Sequence, residues 1–117
     1  MSAPAQAFRV MLRMEIKDGM GPAFEQKWIE IGESVTSHPA NLGQWLCRGD
    51  EAGTYFIVSD WVDEPGFREF ETSERHVEHR EKLHPYRQGG AMHTMSVVAH
   101  LPASPGASTH EQWAGAR

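Results

Sequence analysis

"GTYFIVSDWVDEPGFREFETSERHVEHREKL", residues 53 to 83, changes its hydrophobic rhythm halfway along, and that change decides the fold. Residues 53 to 62 are β-branched and aromatic, bounded by Gly53 and by the turn formers Asp63 and Pro65, the composition of a strand. Asp63 then stands where a helix N-cap is needed, Pro65 falls in the first turn, and helical charge patterning runs to Leu83. The apolar positions of this helical half are few: Phe67, Phe70, Val77 and Leu83. The interruption at Thr72 and Ser73 predicts two short helices, with one of those hydroxyls capping the second.

Upstream, "NLGQWLCR" (41 to 48) is a second apolar segment joined to the first by "GDEAG", a short polar link typical of an antiparallel hairpin. In "AFRVMLRMEI" (7 to 16), Phe8, Val10, Leu12, Met14 and Ile16 alternate with Arg9, Met11, Arg13 and Glu15, the period of a strand. Between them, Phe24, Trp28, Ile31 and Val35 recur at spacings of four, three and four, one apolar stripe of a helix that starts near Pro22 and ends near "SHP" at 37 to 39. Downstream, "PYRQGG" breaks the helical pattern and "AMHTMSVVAHL" (91 to 101) reads as a fourth strand. Residues 102 to 117 are rich in Pro, Ala, Ser and Gly without periodicity, a flexible C-terminal tail from which Trp113 could dock on a neighbour.

The order strand, helix, strand, strand, helix, strand predicts one α+β domain over residues 1–101, a ferredoxin-like β-α-β-β-α-β fold with an antiparallel sheet. In such a sheet one face should be wet, yet "YFIV" (55 to 58) and "SVVA" (96 to 99) are apolar on both sides. With no residues left to cover the second face, a second copy of the chain is the expected cover, a homodimer.

A chain of 117 residues holds one core and buries roughly two thirds of its unfolded surface. Its net charge is -5 and its eleven Lys and Arg are scattered among carboxylates, which excludes a basic stripe for nucleic acid or anionic lipid. No apolar run approaches the ~20 residues that span a bilayer, and "MSAPAQAF" lacks the features of a secretion signal. A single cysteine, Cys47, agrees with a reducing compartment; the expected location is the cytoplasm.

Three of the seven histidines, His76, His79 and His84, fall within nine residues. His76 and His79 share a helix face and, with His84, could hold a metal; but the zinc signatures that combine Cys or Asp ligands are missing, and no metal is expected. A neutral imidazole of ordinary pKa near ~6.5 is better suited to take a proton from a hydroxyaromatic compound. The plain alternative is a solvated helix face shared with Glu74, Glu78 and Glu81. Trp28, Trp45 and Trp61 serve either as core or as the wall of a pocket, and Tyr55 and Tyr86 could hydrogen-bond a phenol or quinone oxygen. His93 on the fourth strand has the plain reading of a structural histidine.

The stretch "SDWVDEPGFREFETSERHVEH" resembles the antibiotic biosynthesis monooxygenase superfamily, in which an aromatic strand ends in Trp and is followed by an acidic turn, a helix with an aromatic residue, and a Ser before a second helix. Trp61, Phe67, Phe70 and Ser73 match those positions, and the similarity spans residues 8 to 101. "FRVMLRMEIKDG", "HPANLGQW", "SDWVDE" and "LHPYRQGG" are similar in addition to small proteins encoded in aromatic polyketide and spore-pigment clusters. The resemblance implies a dimeric α+β barrel with a pocket between sheet and helices in each subunit. It also implies oxygenation of an aromatic polyketide intermediate by molecular oxygen with no cofactor, although members of this fold also cyclise polyketides or degrade haem.

On that basis Trp61, Phe67, Phe70, Trp28, His38 and Tyr55 are the expected substrate contacts, His38 because it lies on the loop where the family pocket often opens. His76 or His79 is the expected base and Arg80, near the family's helix arginine, the stabiliser of the oxyanion. The sequence departs from the oxygenase pattern at Ile57, where those enzymes carry an Asn, and at Phe67, where they carry a phenol. The haem-degrading branch needs an Asn on the first strand and a Trp at Phe70, and this chain has neither. Besides an oxygenase, a polyketide cyclase or aromatase and a non-catalytic polyketide-binding protein in contact with synthase components remain as alternatives.

Overall fold

The computed structural model describes residues 6–104, so the expectations for Trp113 and nearly all of the C-terminal tail lie outside the described residues. Strand β1 (Phe8–Ile16) leads to helix α1 (Gly21–Ile31), a short helical turn α2 (Glu33–Thr36), the hairpin β2 (Asn41–Arg48) and β3 (Thr54–Trp61), helices α3 (Glu64–Glu71) and α4 (Glu74–Leu83), a 3-10 turn (His84–Tyr86) and β4 (Arg87–Ser96). The strands lie in the order β2-β3-β1-β4 and every neighbouring pair is antiparallel. This is the ferredoxin-like α+β fold.

The alternation in β1 becomes two chemically different faces. Val10 opposite Ser59, Leu12 opposite Ile57 and Met14 opposite Tyr55 look toward the helices, whereas Met11 opposite Val58 and Arg13 opposite Phe56 look away. On the helix side, one core cluster gathers Phe8, Val10, Val35, Trp61, Phe67 and Phe70, and another gathers Met14, Ile16, Phe24, Tyr55, Ile57 and Leu83. Leu12 packs against both. Each fully buried aromatic or aliphatic side chain of this kind stabilises the fold by roughly 1.5–3 kcal/mol relative to exposure.

The helix starts follow their caps. Asp63 Oδ1 accepts from the Gly66 N–H at 2.8 Å and Ser73 Oγ accepts from the His76 N–H at 3.2 Å. Each such cap contributes about 1 kcal/mol. Ser73 rather than Thr72 caps α4; the Thr72 hydroxyl closes α3 by donating to the Arg68 carbonyl at 3.1 Å.

Two expectations are corrected. The first helix is divided: α1 ends at Ile31, and Gly32, a poor helix former, bonds three residues back to the Ile29 carbonyl at 3.4 Å before α2 begins. The fourth strand runs over 87–96 and not 91–101, because Gly89 and Gly90, the pattern of a break in the sequence, continue the pairing with β1. A side chain at position 90 would lie 2.5 Å from the Arg13 carbonyl oxygen, so the glycine permits close strand approach here. Consequently Val97 and Val98 lie past the strand, and Val98 is 86% exposed.

The second sheet face is nevertheless apolar. Phe56, Val58 and Met11 are half-buried there, while Trp45 is 50% and Met95 37% exposed. At one end of this face Arg9 pairs bidentately with the buried Asp60 at 2.7 and 2.8 Å. Among the described residues no helix is long and apolar enough to cross a membrane.

Candidate functional site

A cavity of about 350 Å³ lies between the sheet and the helices. Its floor is the helix-facing side of β1 and β3, with Val10, Leu12, Met14, Ile57, Ser59 and Trp61 in alternating positions. Trp28 of α1 and Val35 of α2 close one wall, Phe67 and Phe70 of α3 a second, and His76, His79, Arg80 and Leu83 of α4 a third. Arg87, Gly90 and Met92 of β4 form an edge where Met92 is 45% exposed. The volume lies in the range of small-molecule sites, and the mostly apolar lining suits a flat aromatic compound.

The aromatic wall is built from tilted and edge-on ring contacts. Trp61 packs on Phe67 at 5.4 Å and on Phe70 at 4.9 Å between ring centroids, and Phe70 meets the His76 ring at 4.9 Å. The Trp61 indole N–H donates to Ser59 Oγ at 2.9 Å, which fixes the ring where β3 ends. Two buried nitrogens in the wall, Trp28 Nε1 and His76 Nδ1, have no hydrogen-bond partner among the described residues. Such groups carry a desolvation cost that a polar ligand atom can relieve.

The two histidines differ in environment. Burial lowers the proton affinity of His76, the positive charge of Arg80 adds to this, and Glu71 opposes it. His79 is 8% exposed, and burial, then His76, lowers its pKa from 6.5 to about 4. The Ile31 carbonyl partly opposes that shift, and Lys82 adds to it. His79 Nδ1 lies 2.6 Å from Ser34 Oγ, and the ring is therefore neutral and fixed in place at pH 7. Glu71, also in the lining, is paired with Arg68 at 3.0 Å.

Of the nine residues singled out from the sequence, seven line this cavity: His76, His79, Arg80, Trp61, Phe67, Phe70 and Trp28. His38 and Tyr55 lie outside its lining. His38 accepts from the Ala40 N–H at 3.1 Å through Nδ1, faces Glu69 at 3.4 Å through Nε2, and supports Trp61 and Phe70 edge-on from behind. Tyr55 is drawn to the other core cluster, where its hydroxyl donates to Glu25 Oε2 and its ring meets Phe24 at 5.1 Å. His84 is exposed in the 3-10 turn beyond α4, and among the described residues no three His, Cys, Asp or Glu side chains are grouped to hold a metal. Ser34, Gln44, Ser59 and Arg87 were not singled out. Ser59 was within reach, since two residues before Trp61 on a strand is the same face.

Residues 7–82 match the family described as antibiotic biosynthesis monooxygenase. The chain is 30% identical over 91 residues to Protein SchA of Streptomyces halstedii, a match that covers 77% of this chain and 24% of that protein. The chain thus spans about a quarter of the length of this curated relative. Among solved structures it is similar to SnoaB, a cofactor-independent oxygenase from Streptomyces nogalater, with a TM-score of 0.73, 18% identity, and coverage of 85% of this chain and 100% of that one. It is also similar to a putative antibiotic biosynthesis monooxygenase from Caulobacter crescentus, with a TM-score of 0.72, 14% identity, and coverage of 81% and 92%. These two likenesses establish the fold.

Proposed function

The chain belongs to the antibiotic biosynthesis monooxygenase family, and from that premise we propose that it is a tailoring enzyme of aromatic polyketide biosynthesis that oxygenates a polycyclic phenolic intermediate to a quinone without a cofactor. The observation that carries this reading is one mostly apolar cavity whose lining brings His76, His79 and Arg80 of α4 together with Trp61 and the sheet floor. The description of SnoaB as a cofactor-independent oxygenase supports it.

The reaction balances without an outside reductant. A ring methylene loses two hydrogens and gains one atom of dioxygen as the carbonyl, and the second oxygen atom leaves as water. Trp61, Phe67, Phe70 and Trp28 hold the flat substrate. His76 or His79 takes the first proton, and the electron-rich anion that remains passes an electron to dioxygen. Arg80 stabilises the oxyanion as it develops. A neutral imidazole of low proton affinity becomes a better base once an anion forms beside it, because opposite charges favour each other's ionised forms.

The test is incubation of the purified protein with a hydroxyanthrone under air and under argon, with quinone absorbance and oxygen uptake followed together. Quinone formation above the protein-free rate, with one oxygen consumed per product and none under argon, supports the reading; equal rates with and without protein count against it.

Ile57, an apolar residue in the middle of the cavity floor, favours a second reading. A floor with no hydrogen-bonding group there also suits a polyketide cyclase or a non-catalytic binding protein that works beside synthase components. Product without oxygen uptake identifies the cyclase, and tight binding without product identifies the carrier. The reading includes a homodimer, supported by the exposed Trp45 and Met95 on the apolar second sheet face, and the cytoplasm as its location, in keeping with the lone, exposed Cys47.

A further inference from the structure

On the outer side of the helices lies a second hollow, a polar groove of about 490 Å³ whose lining includes Glu30, Glu33, Glu78, Arg75 and Lys82. His79 is the one residue common to the linings of this groove and of the inner cavity. Ser34, which lines the groove alone, has its hydroxyl oxygen 2.6 Å from His79 Nδ1 and 2.9 Å from the Ile31 carbonyl oxygen.

We infer that Ser34 and His79 form a proton passage between the inner cavity and the outer groove, with Ser34 as the residue that positions the imidazole and hands its proton on. What drives it rests on the oxygenase reading. The hydrogen count leads to this. A carbonyl only accepts and a hydroxyl has one hydrogen, so when Ser34 donates to Ile31 its oxygen must accept from His79 Nδ1–H. That leaves Nε2 as the nitrogen with the lone pair, on a ring that forms part of the cavity wall. A proton taken up at Nε2 is matched by release of the Nδ1 proton to Ser34 Oγ, whose own hydrogen turns away from the Ile31 carbonyl and passes to water in the groove. The groups around the ring are His76 and Lys82 from its own helix and, across the groove, Glu30 and Glu33 from α1 and α2. The carboxylates of the groove favour an outgoing proton.

The direction then reverses. Oxygenation removes a proton from the substrate early and needs one back when the O–O bond of the carbon-bound peroxide breaks and its outer oxygen leaves as water. The same bonds carry that proton inward, and His79 returns to its starting tautomer with no net proton moved.

Nitrogen-15 long-range correlation spectra of the imidazoles test the hydrogen count directly, independent of turnover. Wild type should show His79 as the Nδ1–H tautomer, Ser34→Ala should mix the tautomers, and Ser34→Thr should restore the single one. A wild-type ring in the Nε2–H form, or one unchanged in Ser34→Ala, overturns the passage. With a hydroxyanthrone, Ser34→Ala should lower kcat roughly tenfold with little change in KM and a larger solvent deuterium effect, and Ser34→Thr should recover most of the rate. Wild-type turnover that Ser34→Ala leaves unaltered overturns the passage as well. If wild type itself does not turn over, the oxygenase reading fails, and the tautomer spectra still decide the Ser34–His79 arrangement.

Discussion

The indole nitrogen of Trp61 is held at 2.9 Å by Ser59 Oγ, two residues earlier on the same strand face, and both side chains are buried. Trp61 is 1% exposed and touches Phe67 and Phe70, so one hydrogen bond orients the central ring of the cavity wall. Ser59→Ala leaves a buried N–H without a partner and should cost about 1–3 kcal/mol, read as a lower midpoint in urea denaturation. An unchanged midpoint would show that the bond contributes nothing.

Removal of both imidazoles, His76→Ala with His79→Ala, should lower hydroxyanthrone turnover by about 100-fold or more while a flat aromatic inhibitor still binds. Arg80→Met keeps the apolar stem and removes the charge; kcat should fall and KM should change little, since the charge acts on the developing anion. Oxygen-electrode rates across a substrate series separate the two constants, and full activity in the double variant would exclude both histidines as the base.

His79 makes stability depend on pH in a definite direction. Its folded pKa is about 4 against 6.5 for the free ring, so above pH 6.5 the ring is neutral whether folded or not. As pH falls from 6.5 toward 4 the unfolded ring binds a proton that the folded ring refuses, and stability is lost. The gap corresponds to at most about 3 kcal/mol, or roughly 2 kcal/mol after partial solvent screening. Denaturation midpoints over this range should fall in wild type and fall less steeply in His79→Gln.

Gly90 faces the Arg13 carbonyl so closely that a methyl group would lie 2.5 Å from it. Gly90→Ala should therefore push β4 away from β1 and cost about 1–3 kcal/mol. Hydrogen exchange of the β1 and β4 amides is the direct check: faster exchange confined to that pair is expected, and protection equal to wild type would refute it.

The apolar second sheet face makes a prediction about assembly. Wild type should elute and scatter light as a dimer, and Trp45→Glu, which puts a charge on the edge strand of that face, as a monomer with unchanged secondary structure. A wild-type monomer would leave Trp45, Phe56, Val58 and Met95 as an exposed patch without this explanation.

Local signals in the chain were enough for the fold. The alternation of Phe8 through Ile16, the stripe from Phe24 to Val35 and the side-chain caps at Asp63 and Ser73 each depend on residues a few positions apart, where backbone geometry dictates which side chains share a face. The misplaced fourth strand shows where this fails. Gly89 and Gly90 look like punctuation by themselves, and only the nearness of β1, more than seventy residues earlier, turns them into strand residues.

The cavity was legible in part for the same reason. Trp61, Phe67 and Phe70 lie on predictable faces of adjoining elements, and so do His76 and His79. What the tertiary structure alone decided is which of those faces is wet. Tyr55 and Trp61 occupy the same face of β3, yet Tyr55 is taken up by Phe24 and Glu25 while Trp61 reaches the cavity. His79 is lowered to about 4, and bonded to Ser34, because helices forty-five residues apart pack together there. Burial and pairing across such separations are properties of packing, and no periodicity along the chain encodes them.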